Sequence, residues 1–164
     1  MDRKQHWEDV YSRRSPEEVS WYQDRPDLSL KLMGEADISL DTPILDAGGG
    51  ASNLVDHLLD GGYTDVTVLD LSATALEHAR RRLGERAARV SWIEGDVTAF
   101  RPERAYGLWH DRAVFHFLTD PSDRAAYGEV LHRALPVGGR AVIATFGPDG
   151  PEKCSGLPVV RYSP

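Results

Sequence analysis

Ile44-Leu45-Asp46-Ala47-Gly48-Gly49-Gly50, followed by Val66-Thr67-Val68-Leu69-Asp70, decides how this chain reads. An apolar run ends on an acid and a glycine turn. A second apolar run ends on another acid. Short buried strands joined through a helix give this pattern, and it is half of a nucleotide-binding βαβ unit. Glycine lets the backbone approach a ligand where a side chain would collide. An acid about 20 residues beyond the turn can accept both hydroxyls of a ribose. The pattern therefore implies a ligand with an adenosine.

The details discriminate between adenosine ligands. A dinucleotide turn wants G-x-G-x-x-G, its third glycine allowing close packing of helix on strand. Here Gly48-Gly49-Gly50-Ala51-Ser52-Asn53 puts Asn53 at that place. Asp46 ends the first strand, where a carboxylate would repel a pyrophosphate and attract an ammonium group. S-adenosylmethionine carries an α-amino group and a sulfonium there, and NAD carries neither. An NAD-dependent oxidoreductase or epimerase is the rival enzyme class, and no Tyr-x-x-x-Lys pair supports it.

At these residues the chain resembles the class I S-adenosylmethionine-dependent methyltransferases. Asp46-Ala47-Gly48-Gly49-Gly50-Ala51-Ser52 stands where their first motif has an acid, G-x-G and a small residue. Asp70 matches their ribose-binding acid, and Gly95-Asp96-Val97 their adenine-side motif after strand three. Leu135-Pro136-Val137-Gly138-Gly139 resembles their L-K-P-G-G turn before strand five. The likeness runs from about Ile44 to Thr145, and the N-terminal segment is also similar to trans-aconitate-type and thiopurine-type methyltransferases.

The resemblance implies an α/β, Rossmann-like doubly wound sheet of order 3-2-1-4-5 with an N-terminal helical lid. It implies S-adenosylmethionine as cofactor and S-adenosylhomocysteine as product. Gly48, Gly49 and Gly50 would cradle the methionine end, with Asp46 reaching the amino group. Asp70 and Leu71 would hold the ribose, and Asp96 and Val97 the adenine. His110 and Trp21 would lie by the sulfonium. Two places depart from the family: Gly107 stands in strand four where many members have an acid, and Val137 interrupts the strand-five turn. The family's C-terminal antiparallel hairpin has no counterpart, so the chain reads as short or truncated, and a non-catalytic module that binds cofactor or partner is a further alternative.

Alternating segments read as strands at 43–46, 66–70, 90–94, 105–110 and 140–145, with helices over 52–59, from Ser72 to about Leu83, and over 122–135. Strands alternating with helices imply a parallel sheet covered on both faces. Residues 1–40 read as the lid, 43–146 as the cofactor-binding core and 147–164 as a loop-like tail, all one domain within 1–164. Ser15-Pro16-Glu17-Glu18 is a helix-start signal, and 27–36 reads as a short helix. Trp7 and Tyr11 share a helix face, with Trp21 and Tyr22 beyond. They either line a lid over a cation or simply pack.

His110, Asp111 and His116 follow strand four, at the sheet end where ligands bind. A histidine there can deprotonate or orient an acceptor. The plain alternative is that these side chains pack or cap local structure. No Asn-Pro-Pro-Tyr motif is present to favour a nucleobase amine. Three candidates without HxxxH spacing make no metal site, and Cys154 has no evident base partner.

Of 164 residues, 19 are basic and 26 acidic, leaving a formal charge of −7. That balance opposes a non-specific grip on nucleic acid or an anionic membrane, and Arg80-Arg81-Arg82 reads as a solvated helix face. One cysteine excludes an intramolecular disulfide. With no apolar leader or span of about 20 residues, a cytoplasmic protein acting on a small-molecule or protein acceptor is expected. Strand five would be an open edge, giving a possible homodimer.

Overall fold

The computed structural model describes residues 2–163, so Met1 and Pro164, the ends of the expected domain, lie outside the described residues. Five parallel strands form one sheet: β1 (Ile44–Ala47), β2 (Val66–Asp70), β3 (Val90–Glu94), β4 (Leu108–Arg112) and β5 (Arg140–Ala144). Their order is β3-β2-β1-β4-β5, with the first strand central and the strand order reversing between β1 and β4. Ligands of open α/β sheets bind at such a switch point, beyond the carboxyl ends of the strands.

Side chains alternate across each strand, and the two faces build two cores. Ile44, Val66, Val68 and Leu108 point to one face. There they meet Met33 of α2 (Asp27–Glu35), Leu54, Val55 and Leu58 of α3 (Leu54–Asp60), and Leu76 and Leu83 of α4 (Ala73–Leu83). Leu45, Leu69 and Trp109 point to the other, against Tyr127, Val130 and Ala134 of α5 (Pro121–Ala134). Ile44, Leu45, Leu108 and Trp109 are wholly excluded from solvent. A fully buried Leu or Ile contributes about 1.5–3 kcal/mol relative to exposure, so these strands anchor the fold.

α1 (Arg3–Arg13) carries the lid. Asp2 caps it by accepting from the backbone N–H of Lys4 and Gln5. No residue of α1 is buried, so polar ties must help hold it. Glu8 accepts from Ala73 N and Thr74 N at the start of α4, and Lys4 pairs with Glu94. His78 Nε2 bonds the Tyr11 carbonyl. His57 and His78 thus both act on the lid, since His57 Nε2 bonds Asp24 O.

Several expectations need correction. Ser15 N does donate to Glu18 Oε2, but the helix is only a 3-10 turn over Pro16–Glu18. Val19 then turns extended and is buried, so burial overrides the local start signal. Strand four starts three residues and ends two residues later than expected. Gly107 N is spent on Pro43 O and Tyr106 N on Ala134 O, so pairing with β1 begins at Leu108. The tail is not all loop: β6 (Lys153–Cys154) and β7 (Leu157–Pro158) form a small antiparallel pair outside the main sheet. Val160 N donates to His116 O and Tyr162 N to Phe146 O, which seats the tail beside the ends of β4 and β5. No helix among the described residues is long and apolar enough to cross a membrane.

Candidate functional site

The cavity lies at the switch point. Gly48, Gly49, Asp70, Leu71, Asp96 and Val97 line one side, and Trp7, Tyr11, Trp21, Tyr22, Arg112 and Phe117 are among the residues of the other. Gly48 and Gly50 have φ of 70° and 40°, a left-handed region that favours glycine. A Cβ on Gly50 would stand 2.6 Å from Asp70 Oδ2. The turn is therefore a tightly packed backbone cradle, with no room for a side chain between it and Val114, Asp46 and Asp70.

Asp70 ends β2 and accepts from Ser72 N at 2.8 Å. Burial, with Asp46 nearby, pushes its carboxyl up to about 7. A carboxylate so disfavoured gains strongly from hydroxyl donors brought by a ligand. Asp96 accepts from Thr98 N and Oγ1, at 2.8 and 2.7 Å. Arg3 of the lid pairs with Asp96 and Asp123 at 3.4 and 3.1 Å, so α1 closes over the Asp96 side of the cavity.

The structure brings Gly48, Gly49, Asp70, Leu71, Asp96, Val97 and Trp21 to the cavity, with Gly50 directly behind Asp70. It does not bring Asp46, His110, Asp111 or His116 to its lining. His110 lies mid-strand and buried, because β4 starts late. Its Nδ1 donates to Asp46 Oδ1 at 2.7 Å, and its Nε2 meets Ser29 Oγ at 2.9 Å. Asp46 thereby fixes the wall behind the glycine turn, since a Cβ on Gly49 would strike its carboxylate.

Asp111 accepts from Val114 N, Phe115 N and Tyr127 Oη, capping the turn that follows β4. Burial raises it to about 6. His116 is fully buried, and neither ring nitrogen has a hydrogen-bond partner. Its ring packs against Phe117 and Phe146, and burial lowers it to about 4.

Four useful residues escaped the sequence reading. Asn53, noticed only as a missing glycine, donates to Tyr22 Oη and to the carbonyls of Gln23 and Asp24. Arg82 is no solvated helix residue: it pairs with Asp56 and donates to the carbonyls of Ala51 and Ser52, bracing the turn. Arg3 locks the lid, and Arg112 faces the cavity from the end of β4. No spacing rule marks Arg3 or Arg112, whereas Asn53 already stood at a diagnostic place. Ala113, which also lines the cavity, has φ of 68°. Such strain in a non-glycine residue costs about 1–3 kcal/mol and gathers at functional sites.

The sequence profile of the family described as "Methyltransferase domain" matches residues 44–139. The chain belongs to the methyltransferase domain family. As a methyltransferase domain it is 30% identical over 145 residues to the eEF1A lysine and N-terminal methyltransferase of Danio rerio, covering 86% of this chain and 21% of that protein. A structure described as concerning conversion of a disulfide bond into a thioacetal group during echinomycin biosynthesis superposes with a TM-score of 0.72 and 25% identity, covering 90% of this chain and 60% of that one. The glycopeptide N-methyltransferase MtfA complexed with S-adenosyl-L-methionine matches with a TM-score of 0.67 and 24% identity, over 83% and 60% of the two chains. The chain thus spans about a fifth of that curated relative and three fifths of these structures. The cradle, the buried Asp70 and the flanking Asp96 fit S-adenosylmethionine, a cofactor bound in relatives of this fold.

Proposed function

We propose that this chain transfers a methyl group from S-adenosylmethionine to a small-molecule or protein side-chain acceptor. The observation that carries the reading is the glycine turn, which brings bare backbone to the cavity beside the buried carboxyl of Asp70. When bound, S-adenosylmethionine supplies an activated methyl on a sulfonium. Gly48 and Gly50 let the backbone approach the methionine end. Asp70 accepts from ribose hydroxyls, with Leu71 alongside, and Asp96 and Val97 serve the adenine. Asp46 and His110 act from behind, by holding the turn. Trp7, Tyr11 and Trp21 exclude water and offer ring faces to a cation. Asp111 and His116 support the segment after β4, so alignment carries the rate and acid–base help is optional.

In this reading 1–40 is the lid, 43–146 the core and 147–164 the tail of one unit. The open β5 edge is where a second copy would pair. The net charge of −7 argues against nucleic acid as acceptor. A cytoplasmic setting fits the single half-buried cysteine. The test is calorimetry with S-adenosylhomocysteine, followed by an acceptor screen that reports its release. Asp70→Ala should weaken binding by about 1–3 kcal/mol, the cost of unpaired polar groups. Equal affinity of the two proteins would defeat the assignment.

A further inference from the structure

The lid end of the cavity holds an unusual combination. Trp7 packs edge to face with Trp21 and Phe117, and Tyr11 with Trp21, at centroid distances of 5.2 to 6.4 Å, while Trp7 and Tyr11 lie tilted at 6.5 Å. Arg112 reaches this chamber from the last position of β4 and donates Nη1 to Trp21 O at 3.1 Å. Among the described residues no carboxylate pairs with Arg112, while the cavity's other cation, Arg3, is tied to Asp96 and Asp123. A guanidinium has five donors, and its fork matches a carboxylate.

Of the groups lining the cavity, Asp70 is raised to about 7, and the reading of the cavity spends it on the ribose. Burial drives the Tyr11 phenol and the Cys154 thiol upward. His110, Asp111 and His116 lie outside the lining. An acceptor used here must therefore lose no proton to the protein. An amine would take over the sulfonium's positive charge and keep it beside the guanidinium, which repels it. A carboxylate would become neutral.

We propose that the acceptor is a carboxylic acid with an apolar body, held by Arg112 and methylated on its carboxylate to give a methyl ester. This rests on the reading of the cavity as a methyl-transfer site. A carboxylate oxygen forms the new bond to the methyl carbon, the methyl–sulfur bond breaks with its electron pair going to sulfur, and no proton moves. The ester no longer pairs with Arg112, which favours release.

The test uses wild type, Arg112→Gln and Arg112→Lys with phenylacetate, cinnamate and octanoate, against phenethylamine and octylamine. Wild type should transfer methyl to an acid, and mild alkali should release that methyl as methanol. Arg112→Gln should raise KM for the acid by about tenfold or more, the loss of one charge-assisted pair, and weaken calorimetric binding of the acid to the S-adenosylhomocysteine complex. Arg112→Lys should recover part. Base-stable product on the amines, or an unchanged KM in Arg112→Gln, overturns the inference. So does S-adenosylhomocysteine affinity that falls about tenfold in Arg112→Gln while 5′-methylthioadenosine binds unchanged, for then the carboxylate recognised is the cofactor's own. Tight S-adenosylhomocysteine binding with no acid methylated overturns the inference and leaves the methyl-transfer reading standing. No S-adenosylhomocysteine binding removes both.

Discussion

His110 Nδ1 lies 2.7 Å from Asp46 Oδ1, in the middle of the sheet and away from solvent. The bond joins β1 to β4 at their paired positions, and Ser29 Oγ extends it to α2. Three elements around the glycine turn are thus held by one polar chain. A buried group left without its partner costs about 1–3 kcal/mol. His110→Ala and Asp46→Ala should each lower stability by about that amount in urea unfolding, and combining them should cost less than the sum. If His110→Ala keeps full stability and cofactor affinity yet loses turnover, the histidine acts on the acceptor instead.

On the proposed reading, Asp70 should link cofactor binding to pH. Its carboxyl is raised to about 7 by burial, whereas hydroxyl donors favour the ionised form. Below pH 7 binding must displace a proton, so S-adenosylhomocysteine affinity should rise by about tenfold per pH unit up to that point and then level. The sign for the free protein is opposite. A carboxyl raised on folding stabilises most below its unfolded value near 4, and that contribution fades as pH rises through 7. Asp111, raised to about 6 by burial, adds in the same direction. Asp70→Asn should flatten the affinity profile measured by calorimetry between pH 5 and 8, while a slope equal to wild type would show that Asp70 is not the group.

His116 carries two buried ring nitrogens without partners. Burial depresses it to about 4, so the folded state binds fewer protons than the unfolded one. Its contribution is fully present above about 6.5 and is lost as pH falls toward 4. His116→Leu should raise stability at pH 7 by about 1–3 kcal/mol, by removing unsatisfied polar atoms, and should remove part of the acid sensitivity. Thermal melts at pH 5 and 7 check both, and a destabilised His116→Leu at both pH values would mean that the ring has a polar partner.

The lid is held by ions more than by apolar burial. Arg3 pairs with Asp96 and Asp123, Lys4 with Glu94, and Glu8 caps α4. At about 1 M salt the screening length falls to about 3 Å. Amide exchange in α1 should then accelerate while α4 and α5 stay protected. Equal protection of α1 at low and high salt would mean that Trp7 and Tyr11 alone hold it.

β5 ends the sheet, and Ile143 on it is 41% exposed. An open apolar edge recruits further strands. Light scattering over a range of concentrations should show self-association that Ile143→Lys reduces. Monodisperse monomers, with β5 amides slow to exchange, would show the edge to be protected.

The sheet and the cofactor half of the cavity were legible in the sequence because they rest on local rules. Apolar runs from Ile44 and from Val66 mark strands buried on both faces, and Gly48 and Gly50 must be glycine for backbone reasons that need no knowledge of the rest. Asp70 follows at a distance set by one helix. The acceptor half was not legible. Whether His110 faces the cavity or the core depends on where β4 starts, and that is settled by Gly107 and Tyr106 pairing with Pro43 and Ala134 across the fold. That later start buries His110 on Asp46 and carries Arg112 to the cavity. Likewise, the capping signal at Ser15 yields to burial of Val19, and Arg82 reaches the carbonyls of Ala51 and Ser52 from another helix. Strand periodicity and glycine backbone freedom are properties of the chain itself, whereas the direction a polar side chain takes is decided by which distant partners the packed sheet leaves within its reach.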